Sequence, residues 1–184
     1  MNIQILNLAE CTEFQESAAR VLLDGFREVG KIAWATYEEA MVEVQECTEI
    51  PNIAICAVDN NKVVGWVGIR PMYDYVWELH PMIVTKKYQK KGIGTKLLKE
   101  IEQIAKEKGL LGLALGTDDE TDSTSLSKCD FSRDNILIEI ANIKSSMSHP
   151  YAFYEKNGYF IVGVIPNANG KRKPDIWMWK ELES

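Results

Sequence analysis

Apolar and polar positions along the chain follow two periods, and the switches between them outline its elements. NIQILNL, at 2–8, alternates as a strand. Phe14, Ala18, Val21, Leu22 and Phe26 then recur at helical spacing, behind a Thr12–Gln15 pair that predicts a capping box. Thr36 and Glu39 predict the same device before a second helix, TYEEAMVEVQE. IAICAVD and KVVGWVGI are β-branched runs joined by Asn60-Asn61, the pattern of a tight hairpin, and VWELHPMIV follows as a further strand. Ile93, Leu97, Ile101 and Ile104 share one face of the clearest helix, which stops at Gly109. LLGLALG reads as a strand. Residues 117–135 are polar and irregular at first, and the apolar positions 136, 140 and 143 favour a helix in ILIEIANIK. Pro150 opens a short helix, PYAFYEKN, closed by Gly158. FIVGVIP and DIWMWKEL are two last strands around PNANG.

This order predicts a mixed α/β fold in a single domain over 1–184, with no internal repeat or linker. Composition changes that picture little: 46% apolar and 26% charged residues suit an ordinary core. Charge changes it more. A net charge of -6 argues against a protein that coats nucleic acid and leaves room for a cationic ligand. The cysteines at 11, 47, 56 and 129 have no metal-ligand spacing and read as reduced thiols. No apolar run is long enough to span a membrane, and the N-terminus lacks a basic n-region and a continuous apolar h-region, so a cytoplasmic location is expected.

Candidate chemistry concentrates in WELHPMIVTKKYQKKGIGT, which passes from an apolar strand through lysines into glycines at a helix start. A helix N-terminus offers unpaired N–H groups and a positive dipole end, and glycines let the backbone approach a phosphate closely. Gln89-Lys90-Lys91-Gly92-Ile93-Gly94 therefore reads either as a pyrophosphate cradle or as an ordinary glycine turn before a helix. It is neither GxxxxGK[ST] nor GxGxxG. GTDDETD is a second concentration, with four acids in five positions; it fails as an EF-hand loop, having Ser123 at position six and Cys129 at position twelve.

The Q-x-x-G-x-G turn between strand and helix resembles the acetyl-coenzyme A motif of the GNAT superfamily of N-acetyltransferases. WELHP, LGTDD, HPYAFYEKNGY, GVIPNANG and KPDIWM, in that order, resemble the aminoglycoside 6′-N-acetyltransferases within it, from about residue 53 onward. The resemblance implies a central mixed, mostly antiparallel sheet of six to seven strands flanked by about four helices, with strands four and five splayed to admit the coenzyme. It implies acetyl-CoA as co-substrate, held by Ile83, Val84, Gln89, Lys90, Lys91, Gly92, Ile93, Gly94 and Thr95, with no metal, and a homodimer that binds neither nucleic acid nor membrane.

The implied reaction is attack of the antibiotic's 6′-amine on the thioester. Glu78, among Val76, Trp77 and Leu79, is the candidate for removing the amine proton, if it is not simply an outward-facing strand residue. Pro81 interrupts strand pairing, so the N–H groups of His80 and Met82 are candidates for the oxyanion. The His80 imidazole reads equally as a substrate contact or a structural histidine. Tyr154 matches the family's proton donor to the thiolate, or belongs to an aromatic core stripe with Tyr151, Phe153 and Tyr159. Asp118 and Asp119, with Trp77, are expected to meet the cationic substrate, Asp175 being a further candidate; Trp34 and Tyr37 could also wall sugar rings. His149 is expected to cap the short helix. Two other readings stay open: a GNAT enzyme for another cationic amine, such as a polyamine or amino sugar, and an acetyl-CoA-binding protein without turnover.

Overall fold

A computed structural model describes residues 2–28, 33–145 and 149–182. The chain forms two compact units, Met1–Leu113 with Leu182–Ser184, and Ala114–Glu181.

In the first unit, β1 (Gln4–Asn7), β2 (Ile53–Asp59), β3 (Lys62–Pro71) and β4 (Val76–Val84) lie side by side in that order, each antiparallel to its neighbour. The β2–β3 turn works because Asn60 and Asn61 both accept the left-handed conformation, at φ 49° and 60°. Helices α1 (Gln15–Glu28), α2 (Tyr37–Thr48) and α3 (Ile93–Glu107) bury the apolar faces that their spacing predicts. Ala18, Leu22, Val44 and Trp66 are fully buried, and the Trp66 indole N–H donates to the Ala18 carbonyl at 3.1 Å.

Thr36 and Glu39 close the predicted capping box on α2 with both hydrogen bonds. The predicted box at Thr12 does not form. A 3₁₀ turn occupies Thr12–Phe14, no side chain caps it, and the Gln15 amide donates instead to the Leu8 carbonyl at 3.4 Å. The tight turn after β1 takes the residues that the box would have used.

Strand β5 (Gly112–Asp118) begins in the first unit, where the N–H groups of Leu111 and Gly112 donate to the Tyr75 carbonyl at 2.8 and 3.3 Å. Both β4 and β5 run forward from that point, so β5 starts parallel to β4.

In the second unit the strand order is β5, β7 (Asp175–Glu181), β6 (Phe160–Ile165), the last two antiparallel. Two short helices, α4 (Ile136–Ala141) and α5 (Tyr151–Lys156), precede them. The stretch expected to be irregular carries a 3₁₀ turn at Ser125–Lys128 and a strand-like bridge from Thr124 to Ser145. The four cysteines are free thiols, and burial pushes the Cys56 thiol up to about 12. Among the described residues no helix is long and apolar enough to cross a membrane.

One irregularity in β4 shapes its functional face. Val67 pairs with Met82 and Ile69 with Leu79, so His80 and Pro81 together stand opposite Gly68 alone. A Cβ on Gly68 would lie 2.7 Å from the His80 carbonyl oxygen. Gly68→Ala is accordingly expected to destabilise the protein by about 1–3 kcal/mol through overpacking. Urea unfolding measures it; an unchanged midpoint would show that the bulge has room to spare.

Candidate active site

Along β4, Trp77, Leu79 and Pro81 are buried, Glu78 and His80 are partly exposed on the other face, and Met82 is partly exposed beyond the bulge. Strand alternation thus puts the two candidate side chains together, and it sends Trp77 away from them. Trp77 is 6% exposed, with the Lys108 ammonium 4.9 Å over its ring. Its expected place beside the substrate is corrected to a place in the core.

Glu78 has a partner that the sequence reading did not anticipate. Arg70 is its register neighbour on β3 and donates from Nε to Glu78 Oε2 at 2.7 Å. His80 lies between two carboxylates, with Nε2 3.5 Å from Glu43 Oε1 and Nδ1 4.0 Å from Glu78 Oε1. Glu43, on α2, accepts from the Trp34 indole on Oε2 at 3.0 Å and from the Cys47 thiol on Oε1 at 3.3 Å. The Trp34 ring stands 5.7 Å from the imidazole. Spacing put Glu78 and His80 on one face but did not predict their meetings with Trp34, Glu43 and Arg70, which come from three other segments.

The lysine-rich turn is anchored at both ends. Thr85 donates from N and Oγ1 to the Val64 carbonyl at 2.9 and 3.1 Å, and the Tyr88 hydroxyl donates to Asp59 at 2.9 Å. The Gln89 amide donates to the Val84 carbonyl at 2.9 Å, so its side chain ties the turn to the end of β4. Lys90 at φ 58° and Gly92 at φ 80° reverse the backbone into α3. No side chain caps that helix start. Ile93 is buried beneath it, Gly94 and Thr95 are partly exposed, and Lys90 and Lys91 are exposed. The Ile83 side chain packs against Gly25 of α1, and that of Val84 against Gly65, which leaves their main chains as the groups available to a ligand. The arrangement can hold a polyanion by the first N–H groups of α3, with lysine charge nearby.

In the second unit Asp118 ends β5. Its carboxylate accepts from the Asn169 amide and its carbonyl from His149 Nε2 at 3.2 Å. His149 Nδ1 accepts from the Tyr151 N–H at 3.2 Å, the predicted cap of α5. With an acceptor role at Nδ1 and a donor role at Nε2, the ring is assigned as the neutral Nε2–H tautomer. Asp175 packs its carboxylate on Gly116, where a Cβ would sit 2.8 Å from Oδ2.

Asp119 behaves quite differently from its neighbour. It is fully buried and accepts from the Ser123 N–H (2.7 Å), the Thr124 N–H (2.8 Å) and the Thr124 hydroxyl (2.6 Å). These donors meet the solvation needs of a buried carboxylate. Asp119 organises the loop, which corrects its expected position against a substrate. Tyr154 is 8% exposed, edge-on to Tyr159 at 5.7 Å, and burial pushes its phenol above the ordinary tyrosine range.

A model of the acetyltransferase (GNAT) family matches residues 16–131, more than half of the chain. The chain belongs to that family. Over its whole length this acetyltransferase superposes on a crystal structure of an aminoglycoside 6′-N-acetyltransferase in complex with coenzyme A (TM-score 0.88, 36% identity, 98% of that chain). It does so equally on the aminoglycoside 6′-N-acetyltransferase of Enterococcus faecium (TM-score 0.85, 36% identity, 98% of that chain). It is also 32% identical, over 95 residues or 52% of its length, to streptothricin acetyltransferase A of Bacillus subtilis strain 168. That alignment spans about half of the relative, 53%. The acetyltransferase has the GNAT fold, with seven strands and five α-helices among the described residues.

The loop assignment makes a direct prediction. Asp119→Ala should accelerate amide exchange at Ser123 and Thr124 and cost about 1–3 kcal/mol in stability, the usual penalty for orphaned buried donors. Unaltered exchange at both amides would remove the organising role.

Proposed function

We propose that this acetyltransferase moves the acetyl group of acetyl-CoA to the 6′-amine of aminoglycosides. The observation that carries the reading is likeness over the whole chain, at 36% identity, to structures of aminoglycoside 6′-N-acetyltransferases. In this reading the N-terminus of α3 holds the coenzyme's pyrophosphate through the N–H groups of Ile93, Gly94 and Thr95. Its uncapped start and the left-handed Gly92 fit an anion there. Gln89, Lys90 and Lys91 support that turn, and Ile83 and Val84 offer main-chain groups along the pantetheine arm.

In the reaction the amine nitrogen bonds to the thioester carbon, the C–S bond breaks, and one amine proton passes to Glu78. Arg70, 2.7 Å from Oε2, orients the carboxylate that accepts it. The N–H groups of His80 and Met82, either side of a proline without one, are the donors assigned to the oxyanion. Asp118, with Asp175 nearby as a second carboxylate, is assigned the remaining ammonium groups. Tyr154 is assigned to return a proton to the thiolate. Burial holds that proton more tightly than an ordinary thiol of pKa about 8.5 would, so the transfer runs uphill and contributes modestly. Homodimerisation belongs to the same reading. Exposed Phe160 (54%), Val162 (56%) and Ile165 (51%) on β6 support it, and sedimentation reads it directly.

The similarity to streptothricin acetyltransferase A favours a second reading, an amine on a different cationic antibiotic. One assay separates them: thiol release from acetyl-CoA against aminoglycoside pairs differing only in amine or hydroxyl at the 6′ carbon, with streptothricin and polyamines alongside. Turnover confined to the 6′-amines is expected; turnover only with the other amines would overturn the assignment. Glu78→Gln should lower kcat/KM by about 10²- to 10⁴-fold. Full activity in that variant would remove Glu78 as the base.

A further inference from the structure

We propose that Glu43 is a positioning residue for the acetyl transfer, acting through His80 on Glu78. The proposal rests on the role given to Glu78 above. Glu43 stands 35 residues from Glu78 in sequence and on a different element, α2, yet His80 bridges the two carboxylates.

Three observations separate this from a helix carboxylate that merely caps an indole. First, Glu43 is held at both oxygens, by the Trp34 indole at 3.0 Å and the Cys47 thiol at 3.3 Å, so it cannot swing away from His80. Second, its side chain is 11% exposed, and a carboxylate so nearly buried requires cationic or hydrogen-bonding compensation; His80 Nε2, at 3.5 Å, supplies it. Third, Trp34 adopts φ 51°, a conformation that a bulky residue rarely takes, at the residue that orients Glu43. The Cys47 thiol reaches the same place from the other side: it also lies 3.6 Å from the His80 carbonyl, the oxygen that abuts Gly68.

Among the described residues, the charged and titratable groups facing His80 include Glu43 and Cys47 from α2, Glu78 from β4, and Arg70 from β3 behind Glu78; Glu46 acts on Cys47 from the same helix. Each imidazole nitrogen faces a carboxylate, so the charge on Glu43 favours the imidazolium. That imidazolium draws Glu78 Oε1 toward itself while Arg70 holds Oε2. Glu78 is thereby kept at a fixed orientation instead of collapsing onto Arg70. Glu43 does not touch the reacting atoms; it sets where the accepting carboxylate points.

The test uses the whole enzyme. Glu43→Gln keeps the volume and an acceptor for the Trp34 indole but removes the charge. Without substrate, the His80 imidazole followed by NMR should titrate about one pH unit lower than in the parent. With a 6′-amine substrate, kcat/KM should fall about tenfold, chiefly in kcat, with KM for acetyl-CoA unchanged. Glu43→Asp, retaining the charge, should restore most of both. In a His80→Asn background the Glu43→Gln change should cost less than twofold. An unmoved His80 titration overturns the proposal, as does an equal loss in both backgrounds. Thermal melting of each variant guards against misfolding as the cause, and Glu43→Asp supplies the comparison if Glu43→Gln folds poorly. Full activity in Glu78→Gln would overturn the reading beneath the proposal. The His80 titration, taken without substrate, tells the two failures apart.

Discussion

The main chain of β4 at His80–Pro81 can lie where it does only because Gly68 has no side chain. With the His80 carbonyl 2.7 Å from the position of a Cβ, any other residue on β3 would force the strands apart. The two-against-one pairing that results sets His80 and Pro81 out of register, and the alternation of β4 ends there. Gly65 repeats the constraint three residues away on β3, where a Cβ would meet the Ile83 carbonyl at 2.8 Å. The functional face of β4 is therefore set by what β3 omits. Cys47 of α2 packs behind the same carbonyl, so the bulge, the helix and Glu43 form one rigid arrangement.

Electrostatics then assigns different work to carboxylates that look alike as letters. Asp118 and Asp119 are adjacent, yet β5 ends between strand and loop and sends them to opposite environments. One meets Asn169 at the surface, and the other is enclosed by three donors from Ser123 and Thr124. Glu43 and Glu78 meet through His80, and Arg70 balances Glu78 from the next strand. A protein of net charge -6 can keep several acids near one another only if each has a compensating donor or cation. Those donors, more than the acids themselves, distinguish a site residue from a scaffold residue.

The basic turn solves the opposite problem. Its lysines would repel one another if they had to converge, so fixed dipoles do the local work at the start of α3 while Lys90 and Lys91 remain exposed. Hydrogen bonds from Thr85, Tyr88 and Gln89 to β2, β3 and β4 give that start a firm base. The motif glutamine serves as a tether of the turn, which is why its spacing from the glycines matters.

Periodicity in the chain by itself determined the elements, because strand and helix periods depend on neighbours two to four residues apart. The Asn60-Asn61 hairpin, the Thr36 capping box, the α3 stripe and the His149 cap were all legible for that reason. So were the blocks of residues that carry the resemblance to the family. The Thr12 box was misread because a 3₁₀ turn occupies Thr12–Phe14 and the Gln15 side chain donates to the Leu8 carbonyl. Only the tertiary structure decided which face each candidate meets. Trp77 went to the core, Asp119 into its loop, and Trp34, Glu43 and Arg70 came to His80 and Glu78. Burial and pairing between segments tens of residues apart depend on how sheets and helices pack, and no local spacing encodes that partner list.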